Sequence, residues 1–478
     1  MTYAETTLKF KPINFSLAQL LLPLFVIYYS QVSLAQPTCQ QLFTKTDNSV
    51  KDAKKKILVL EPTGWDANEF KMSGATQKYE IELPKQNIWE NIKYLNYLKN
   101  VFFNLDAWVK KITPNFAKQK YDGIIGIQDY PASLVASALG EALNLKVPRV
   151  DVMISLHNKF LSRQIQKSVA PEAVPPFALV DLKQIDTKNP PLPYPFFLKP
   201  VKGLSSIKAQ VIRNEDDFIK ASRLTASEKL ASHIFARPLD SLMKSRSNEA
   251  ISSQLYIAEG LLQGVQVTVD GLSQNGKTQI LGVVDSVMYE GTNSFESFQY
   301  PSRLPEGVQK RMSIIASKVM TASGFDHSLF NVEMFYDQKT DKISIIEINP
   351  RMAYQFADLY EKVDGINLYN LQSQLATGEV VNVPHRQGQY KVAASFVPRV
   401  LKGQSLVALP SNEVINQFKS ENQDVRVRVI AKEGLASLSL FQDVESQRIA
   451  FFNIGSQSYN EMRKRINNIY EEIGLVIK

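Results

Sequence analysis

Cysteine and histidine are scarce in this sequence. The chain of 478 residues has one cysteine, Cys39, and four histidines, scattered as His157, His233, His327 and His385. A single cysteine excludes an internal disulfide and a zinc site built on cysteines. The histidines do not form the HExxH pair of zinc peptidases, and no GxSxG nucleophile turn occurs. Any metal that this chain uses should therefore be a hard cation with oxygen ligands.

Composition excludes two further classes of protein. Hydrophobic residues make up 44% and charged residues 21% of the chain, which are ordinary values for a folded protein, so we do not expect general disorder. The net charge is +8, but the basic residues are spread along the chain and lack the interleaved aromatic residues of single-strand binders. We therefore expect no nucleic-acid partner.

Hydrophobic periodicity predicts a first lobe of alternating strands and helices. The expected strands are residues 56–62, 76–83 and 121–127, and the expected helices are residues 86–105 and 131–143. Such alternation is typical of a parallel sheet with helices on both faces.

The remainder of the chain reads as a mixture of antiparallel strands and helices. The expected helices are 155–167, 305–323, 366–377 and 459–473, and the expected strands are 196–200, 207–212, 329–336, 343–348 and several within 254–288. Turns are expected at Asp270-Gly271 and Asn275-Gly276, because both pairs are typical of hairpins.

The most informative residues are two acids on neighbouring predicted strands. Glu333 lies on the first strand, and Glu347 and Asn349 lie on the second. Side chains alternate along a strand, so Glu347 and Asn349 share one face while Ile346 and Ile348 point into the core. If the strands pair as a hairpin, Glu333 joins that face, and the resulting oxygen ligands suit Mg²⁺ bound beside nucleotide phosphates.

The end of the second strand carries an arginine. Pro350 ends the strand, and Arg351 then faces the open site, where its planar guanidinium can bind a carboxylate or a phosphate through two bonds. The alternative for the acids alone is a polar, solvent-facing strand surface. The run Glu-x-Asn-Pro-Arg directly after isoleucines argues against that alternative, because unpaired charges beside a buried core are costly.

A second group of residues could hold nucleotide phosphates. Lys199 ends the apolar strand of residues 196–200, and the small polar loop 201–206 follows it. Backbone N–H groups and the hydroxyls of Ser205 and Ser206 could cradle phosphate oxygens while Lys199 supplies positive charge. The alternative is a hairpin turn with a solvated lysine, since the loop matches neither GxxxxGK[ST] nor GxGxxG. Lys159 alone reads as an exposed lysine on a helix.

These motifs together resemble the ATP-grasp superfamily, and in particular its carboxylate–amine ligases, which include the L-amino acid ligases. The resemblance runs from about Lys56 to the C-terminus. It implies an α/β fold with a pre-ATP-grasp parallel-sheet lobe (51–150), an ATP-grasp domain (151–385) and a small C-terminal subdomain (386–478). Within the ATP-grasp domain, it implies an α+β lid at about 175–255.

The resemblance also implies a role for individual residues. The nucleotide-binding residues would be Lys159, Lys199, Ser205, Ser206, Glu259, Leu261 and Gln266, with Glu259 as the hinge acid beside the adenine. Gln266 departs from the family pattern, which has an acid there to hold the ribose. Glu333, Glu347 and Asn349 would bind Mg²⁺ or Mn²⁺, and Arg351 and Asn349 would take part in catalysis.

The implied reaction uses ATP and Mg²⁺ to activate a carboxylate as an acyl phosphate, which an amine then attacks. Two alternatives remain open: a biotin-carboxylase-like activity on bicarbonate, although no biotin-attachment segment occurs, and a non-catalytic nucleotide-binding protein. The expected partners are a small-molecule carboxylate and amine, and the oligomeric state stays open, with a homodimer as one option.

The N-terminal segment, residues 1–50, has features of a secretory signal. A short apolar stretch, Leu17 to Tyr29, follows basic residues and precedes small ones. Three interpretations remain open: a cleaved signal, an uncleaved membrane anchor at about residues 14–30, or an extension outside the working protein. Because the implied chemistry needs ATP, we expect the catalytic part to be cytoplasmic, and residues 1–50 are left out of the fold prediction.

Overall fold

The computed structural model describes residues 54–84, 103–203, 209–246, 251–431 and 446–478. Residues 1–50, the loop residues Ser205 and Ser206, and most of the helix predicted at 86–105 lie outside the described residues. Within the described ranges, no helix is both long and apolar enough to cross a membrane.

A parallel sheet forms the first lobe, as predicted. In the described residues its strands are β1 (Lys56–Leu60), β2 (Glu80–Glu82) and β3 (Gly123–Gly126), ordered β2-β1-β3. Its helices are α1 (Gly64–Met72), α2 (Ala75–Lys78), α3 (Leu105–Ala117) and α4 (Ala132–Ala142). The strand predicted at 76–83 is wrong in its first half, which is helical, because a run this short fits one helical turn as well as a strand.

The helix predicted at 155–167 is two helices. They are α5 (Val150–His157) and α6 (Lys159–Val169). Asn158 separates them, and its side chain caps α6 by accepting hydrogen bonds from the N–H groups of Phe160 and Leu161, both at 3.1 Å. The break places Lys159 in the first turn of α6.

A small antiparallel sheet follows in the region predicted as a lid. Its strands are β4 (Phe177–Val180), β5 (Phe196–Pro200), β6 (Gln210–Ile212) and β7 (Tyr256–Gly260), ordered β4-β7-β5-β6 among the described residues. Helices α7 (Glu215–Ser222) and α8 (Ala226–Arg246) lie between β6 and β7 in sequence. Phe196, Phe218 and Ala258 belong to the separate core of this sheet. Strands β5 and β6, both predicted, pair in antiparallel register.

A large antiparallel sheet carries most of the remaining chain. The remaining strands are β8 (Val265–Gln274), β9 (Lys277–Met288), β10 (Phe295–Tyr300), β11 (Ser328–Asp337), β12 (Lys342–Asn349), β13 (Val392–Phe396), β14 (Arg399–Leu401), β15 (Leu406–Ala408), β16 (Arg426–Val429), β17 (Ser446–Arg448), β18 (Ala450–Ser456) and β19 (Val476–Ile477). Eight of them form the large sheet within the described part of the chain, ordered β12-β11-β8-β9-β10-β13-β18-β16. The remaining helices are α9 (Glu306–Ser323), α10 (Ala357–Asp364), α11 (Leu368–Ala376), α12 (Asn412–Glu421) and α13 (Tyr459–Glu472).

Helices cover both faces of the large sheet. Met312 of α9 packs in one core with Val332 of β11, whereas Leu371 of α11 packs in another core with Leu329 of the same strand. Successive side chains of β11 therefore point to opposite sides, as strand geometry requires.

Of the two predicted turns, only Asn275-Gly276 is present. It joins β8 to β9, and both residues have positive φ values (53° and 73°), as a tight hairpin turn requires. Asp270 and Gly271 instead lie inside β8. A Cβ atom on Gly271 would lie 2.4 Å from Cζ of Phe330, so this glycine serves close packing of an aromatic ring and not a turn.

Candidate active site

Two carboxylates lie opposite each other on β11 and β12. Glu333 pairs directly with Glu347, and Asn331 pairs with Asn349, in the antiparallel register of the two strands. Val332 points into the buried core, so Glu333 takes the other face of the strand together with Asn331. The hairpin predicted from the sequence is confirmed, and it brings both acids and the amide of Asn349 to one face.

The register of the hairpin shifts immediately beside this acidic pair. Met334 pairs with Ile345, so Ile346 is an extra residue on β12. The sequence predicted that Ile346 points into the core, which is wrong, because the side chain is only partly buried. The carbonyl oxygen of Ile346 accepts a hydrogen bond from Arg163 at 2.8 Å. Irregularities of this kind often change the direction of a neighbouring side chain near functional sites. The neighbouring side chain here is that of Glu347.

The two acids differ in their electrostatic surroundings. Burial raises the pKa of Glu333, and the neighbouring Glu347 raises it further, so that it stays above its ordinary value despite Arg351. Burial also raises the pKa of Glu347, but Lys159 and Lys199 outweigh burial and lower it. The Nζ atom of Lys159 lies 2.7 Å from a carboxylate oxygen of Glu347. The neighbouring cations therefore do not outweigh burial and repulsion at Glu333, and a bound divalent cation would add the missing positive charge.

The donor atoms at this face fit a hard metal ion. Asn349 donates its amide N–H groups to Glu333 at 3.0 Å and to Asn331 at 2.9 Å, so its amide oxygen is the atom suited to a metal. Across the described ranges, no three His, Cys, Asp or Glu side chains cluster as a metal site would. A metal at this face would therefore be held by Glu333, Glu347 and Asn349, whose oxygen atoms match the preference of Mg²⁺.

Lys199 and Glu259 form a buried ion pair on the small sheet. Nζ of Lys199 lies 2.8 Å from one oxygen of Glu259, and Nε of Arg163 lies 2.8 Å from the other. Burial alone would raise the pKa of Glu259, but Lys199 and Arg163 lower it to about 2, so Glu259 is ionised at neutral pH. Lys199 itself is buried, which contradicts the alternative of a solvated lysine in a hairpin turn.

Helix α6 connects the small sheet to the acidic pair. Lys159 and Arg163 are four residues apart, so both side chains leave the same face of the helix. Lys159 reaches Glu347 on β12, with only 14% of its side chain exposed. Arg163 bonds both Glu259 on β7 and the carbonyl of Ile346 on β12. Lys159 is therefore not the exposed helix lysine that its local sequence suggested.

Arg351 lies just beyond the acidic pair. It follows Pro350 after the end of β12, as predicted, and its guanidinium lies 4.0 Å from a carboxylate oxygen of Asp129. Asp129 follows β3 of the first lobe. Arg351 thus faces the carboxyl end of the parallel sheet, which is where open α/β sheets usually bind ligands.

Comparison with known proteins agrees with this geometry. Residues 192–359 match the family model of the ATP-grasp domain. The chain carries an ATP-grasp domain. No curated protein sequence matches the chain.

Solved structures extend the likeness beyond the ATP-grasp domain. The L-amino acid ligase from Bacillus licheniformis shares 16% identity and a TM-score of 0.63, with 88% of this chain and 98% of that chain covered. The biotin carboxylase from Campylobacter jejuni shares 16% identity and a TM-score of 0.56, with 89% and 92% covered. The N5-carboxyaminoimidazole synthetase from Staphylococcus aureus shares 14% identity and a TM-score of 0.57, with 89% and 99% covered. At these identities the likeness shows the fold, and the predicted ATP-grasp architecture with its parallel-sheet first lobe is confirmed.

The other predicted nucleotide residues of the ATP-grasp domain have different outcomes. Leu261 directly follows β7 and is 45% exposed, so its side chain is available beside the junction of the two antiparallel sheets. Gln266 on β8 donates a hydrogen bond to Glu333 at 3.1 Å, which makes it a neighbour of the acidic pair. Ser205 and Ser206 lie outside the described residues. The predicted contacts of these residues with adenine, ribose and phosphate stay predictions.

The sequence prediction missed a group of four polar residues. Their contacts connect the ATP-grasp domain to the first lobe. We call Asp129, Ser133, His157 and Lys202 the Lys202 cluster. Burial raises the pKa of Asp129, but Lys202 and Arg351 outweigh it and hold this pKa well below its ordinary value. Asp129 offered a signal, since it is an acid directly after a parallel strand. His157 and Lys202 offered none, because only the tertiary structure brings them together.

Replacing Lys199 with alanine should weaken ATP binding. The variant loses a charge-assisted contact to phosphate, which corresponds to roughly 1.5–3 kcal/mol of binding free energy. Titration calorimetry of the full chain with ATP and Mg²⁺ measures the change, and Lys310→Ala, an exposed lysine on α9, is the matched control. Equal ATP affinity in the Lys199 variant and the control would contradict the phosphate-binding role.

Proposed function

We propose that this chain is an ATP- and Mg²⁺-dependent ligase that activates a carboxylate as an acyl phosphate for attack by an amine. One observation carries the proposal: the Glu333–Glu347 pair, Lys159 and Arg351 meet where the two antiparallel sheets and the first lobe approach each other. Oxygen ligands for a metal, a cation for phosphate and an arginine for the reacting group are the parts that phosphoryl transfer to a carboxylate needs.

The first step would join the carboxylate to the γ-phosphoryl group. A carboxylate oxygen bonds to the γ-phosphorus, the bond from that phosphorus to the β–γ bridging oxygen breaks, and ADP leaves. Glu333, Glu347 and Asn349 would hold Mg²⁺ or Mn²⁺, which would supply positive charge to the phosphate oxygens. Lys159 and Lys199 add positive charge towards the phosphates, and Arg351 orients the carboxylate and the transferred group.

The second step would form the C–N bond. The amine nitrogen bonds to the acyl carbon, the bond from that carbon to the phosphate oxygen breaks, and phosphate leaves with the electron pair. The described site provides positioning and charge stabilisation, and this reaction requires no nucleophilic side chain. Two proteins of similar structure, an L-amino acid ligase and an N5-carboxyaminoimidazole synthetase, support a ligation with nitrogen.

The test is ADP release by the full chain with Mg²⁺, ATP and carboxylic acids and amines supplied in pairs, beginning with amino acids. We expect ADP release that requires an acid and an amide product that requires an amine. Turnover that instead requires bicarbonate and biotin would favour the carboxylase alternative. Tight ATP binding without ADP release for any pair would favour a non-catalytic nucleotide-binding protein.

A further inference from the structure

The Lys202 cluster forms a continuous polar connection beside Arg351. Nζ of Lys202 lies 3.2 Å from Nδ1 of His157, and Nε2 of His157 lies 3.0 Å from the hydroxyl of Ser133. One oxygen of Asp129 lies 4.0 Å from His157, and its other oxygen lies 4.0 Å from Arg351. The Asp129 carboxylate therefore lies between Arg351 and His157, and His157 in turn contacts Lys202.

The Lys202 cluster is buried from solvent at Lys202 and exposed to solvent at Asp129. Lys202 is 6% exposed and His157 is buried, whereas 40% of the Asp129 side chain is exposed. Lys202 contacts His157 and the ring face of Tyr130, whose centroid lies 4.5 Å from Nζ. Its partners thus belong to the first lobe and α5, and they differ from those of Lys159 and Lys199.

We propose that Lys202 is the general base of the C–N bond-forming step. Its neutral amine would take a proton from the ammonium group of the incoming substrate, which enters at Asp129, so that the nitrogen can attack the acyl phosphate beside Arg351. This inference rests on the proposed function, because it requires an amine as the acceptor.

The surroundings of Lys202 bring its pKa close to physiological pH, so that a fraction of the molecules carries the neutral amine. Burial lowers the pKa of Lys202 to about 8, although Asp129 acts in the opposite direction. The other charged groups that act on Lys202 are Lys159 and Arg351, which lower its pKa, and Glu347, which raises it. Lysine bases in enzymes are commonly adjusted to this range by burial.

His157 positions Lys202 through a hydrogen bond while its own ring is neutral. Burial and the nearby Lys202 lower the pKa of His157 well below its ordinary value, so its ring is neutral. With the Nε2–H group donated to Ser133, Nδ1 is an acceptor for the amine of Lys202. The Tyr130 ring then stabilises the ammonium group that forms when Lys202 accepts a proton, through a cation–π contact.

The proposed step moves two protons from the substrate nitrogen and releases one electron pair with the phosphate. The substrate ammonium transfers one proton to Lys202, and its freed lone pair bonds to the acyl carbon. The carbon–oxygen bond to phosphate breaks, and its electron pair leaves with the phosphate. The second nitrogen proton, lost as the tetrahedral adduct collapses, leaves with the phosphate, and Lys202 returns its proton to solvent.

Two acceptors with different protonation states test the proposal in the full chain. An ordinary primary amine is an ammonium ion at pH 7 and needs a base, whereas hydroxylamine is already neutral and forms a hydroxamate directly from the acyl phosphate. In Lys202→Met we expect amide formation to fall by about 10²-fold or more, the scale of general-base catalysis, with hydroxamate formation near the parent rate. Lys202→Arg, which keeps the charge and cannot act as a base, should show the same split. Lys310→Met is the matched control.

The pH dependence gives a second readout. A base works when it is deprotonated, so kcat/KM for the amine in the parent enzyme should rise with pH through about 8. This rise should be absent from the hydroxylamine reaction. In Lys202→Arg it should be replaced by a rise at higher pH that follows the pKa of the amine itself, about 10 for an alkyl amine.

The outcomes separate this inference from the function on which it rests. Equal losses of amide and hydroxamate in both variants would overturn it, because Lys202 would then serve acyl phosphate formation or the fold. Unchanged rates for both products would also overturn it. A parent enzyme that forms hydroxamate and no amide with any amine would contradict the amine half of the proposed function, and this inference with it.

Discussion

Replacing Glu347 with glutamine is expected to abolish Mg²⁺-dependent ATP turnover. The change removes a charge and keeps the volume, so the metal site loses one carboxylate and Lys159 loses its partner at 2.7 Å. Metal ions contribute several kcal/mol to charge stabilisation in transition states, and each 1.36 kcal/mol is tenfold in rate. We therefore expect turnover to fall by about 10²–10³-fold or more, measured as ADP release by the full chain with saturating ATP.

The fold should survive this change, because 35% of the Glu347 side chain is exposed. Circular dichroism and the melting temperature of the variant check that expectation. Glu472→Gln, which changes an exposed acid at the end of α13, is the matched control and should turn over ATP as the parent does. If Glu347→Gln released ADP at the parent rate, the metal assignment would be wrong.

Arg351→Lys should separate ATP binding from turnover. Lysine keeps the positive charge and loses the planar fork that holds two oxygen atoms, so the change is not conservative at this position. An interaction that strengthens as charge develops appears in turnover more than in ground-state binding. We expect near-normal ATP affinity and turnover reduced by about 10²-fold or more, the scale found when one preorganised donor is removed.

The control for Arg351 is an arginine with a comparable partner outside the site. Arg311 contacts Asp341 on the surface, and Arg311→Lys should leave turnover unchanged. Steady-state ADP release and calorimetric ATP binding, measured on both variants, give the two quantities. Parent-level turnover in Arg351→Lys would remove Arg351 from the mechanism while leaving the ATP site in place.

Strand periodicity located the acidic pair because the information is local. Glu333, Glu347 and Asn349 lie on two strands joined by a short turn, so alternation along each strand is sufficient to place them on one face. The irregular register at Ile346 was not readable, because strand alternation assumes a regular ladder and one extra residue on β12 leaves no mark in the sequence pattern. Its consequence is the carbonyl that meets Arg163.

Local turn and helix signals failed at one turn and at one helix. Asp270-Gly271 has the composition of a hairpin turn, yet Gly271 makes room for the ring of Phe330 on the neighbouring strand. The continuous helical pattern at 155–167 concealed the break at Asn158, which caps α6 and sets the position of Lys159. In the first case packing against a neighbouring strand outweighs the local preference. In the second the break is set by a local cap, which hydrophobic periodicity does not register.

The sequence by itself determined the parallel first lobe, the β11–β12 hairpin and the shared face of Glu333, Glu347 and Asn349, since each follows from periodicity over neighbouring residues. Only the tertiary structure decided the partners of the cations. Arg163 and Glu259 are separated by 96 positions, and Lys202 and His157 by 45. Contacts across such separations depend on how the small sheet, α5, α6 and the first lobe pack. That packing brings Lys199 and Arg163 to Glu259, which lowers the pKa of Glu259 despite burial, and it buries Lys202, which lowers the pKa of Lys202.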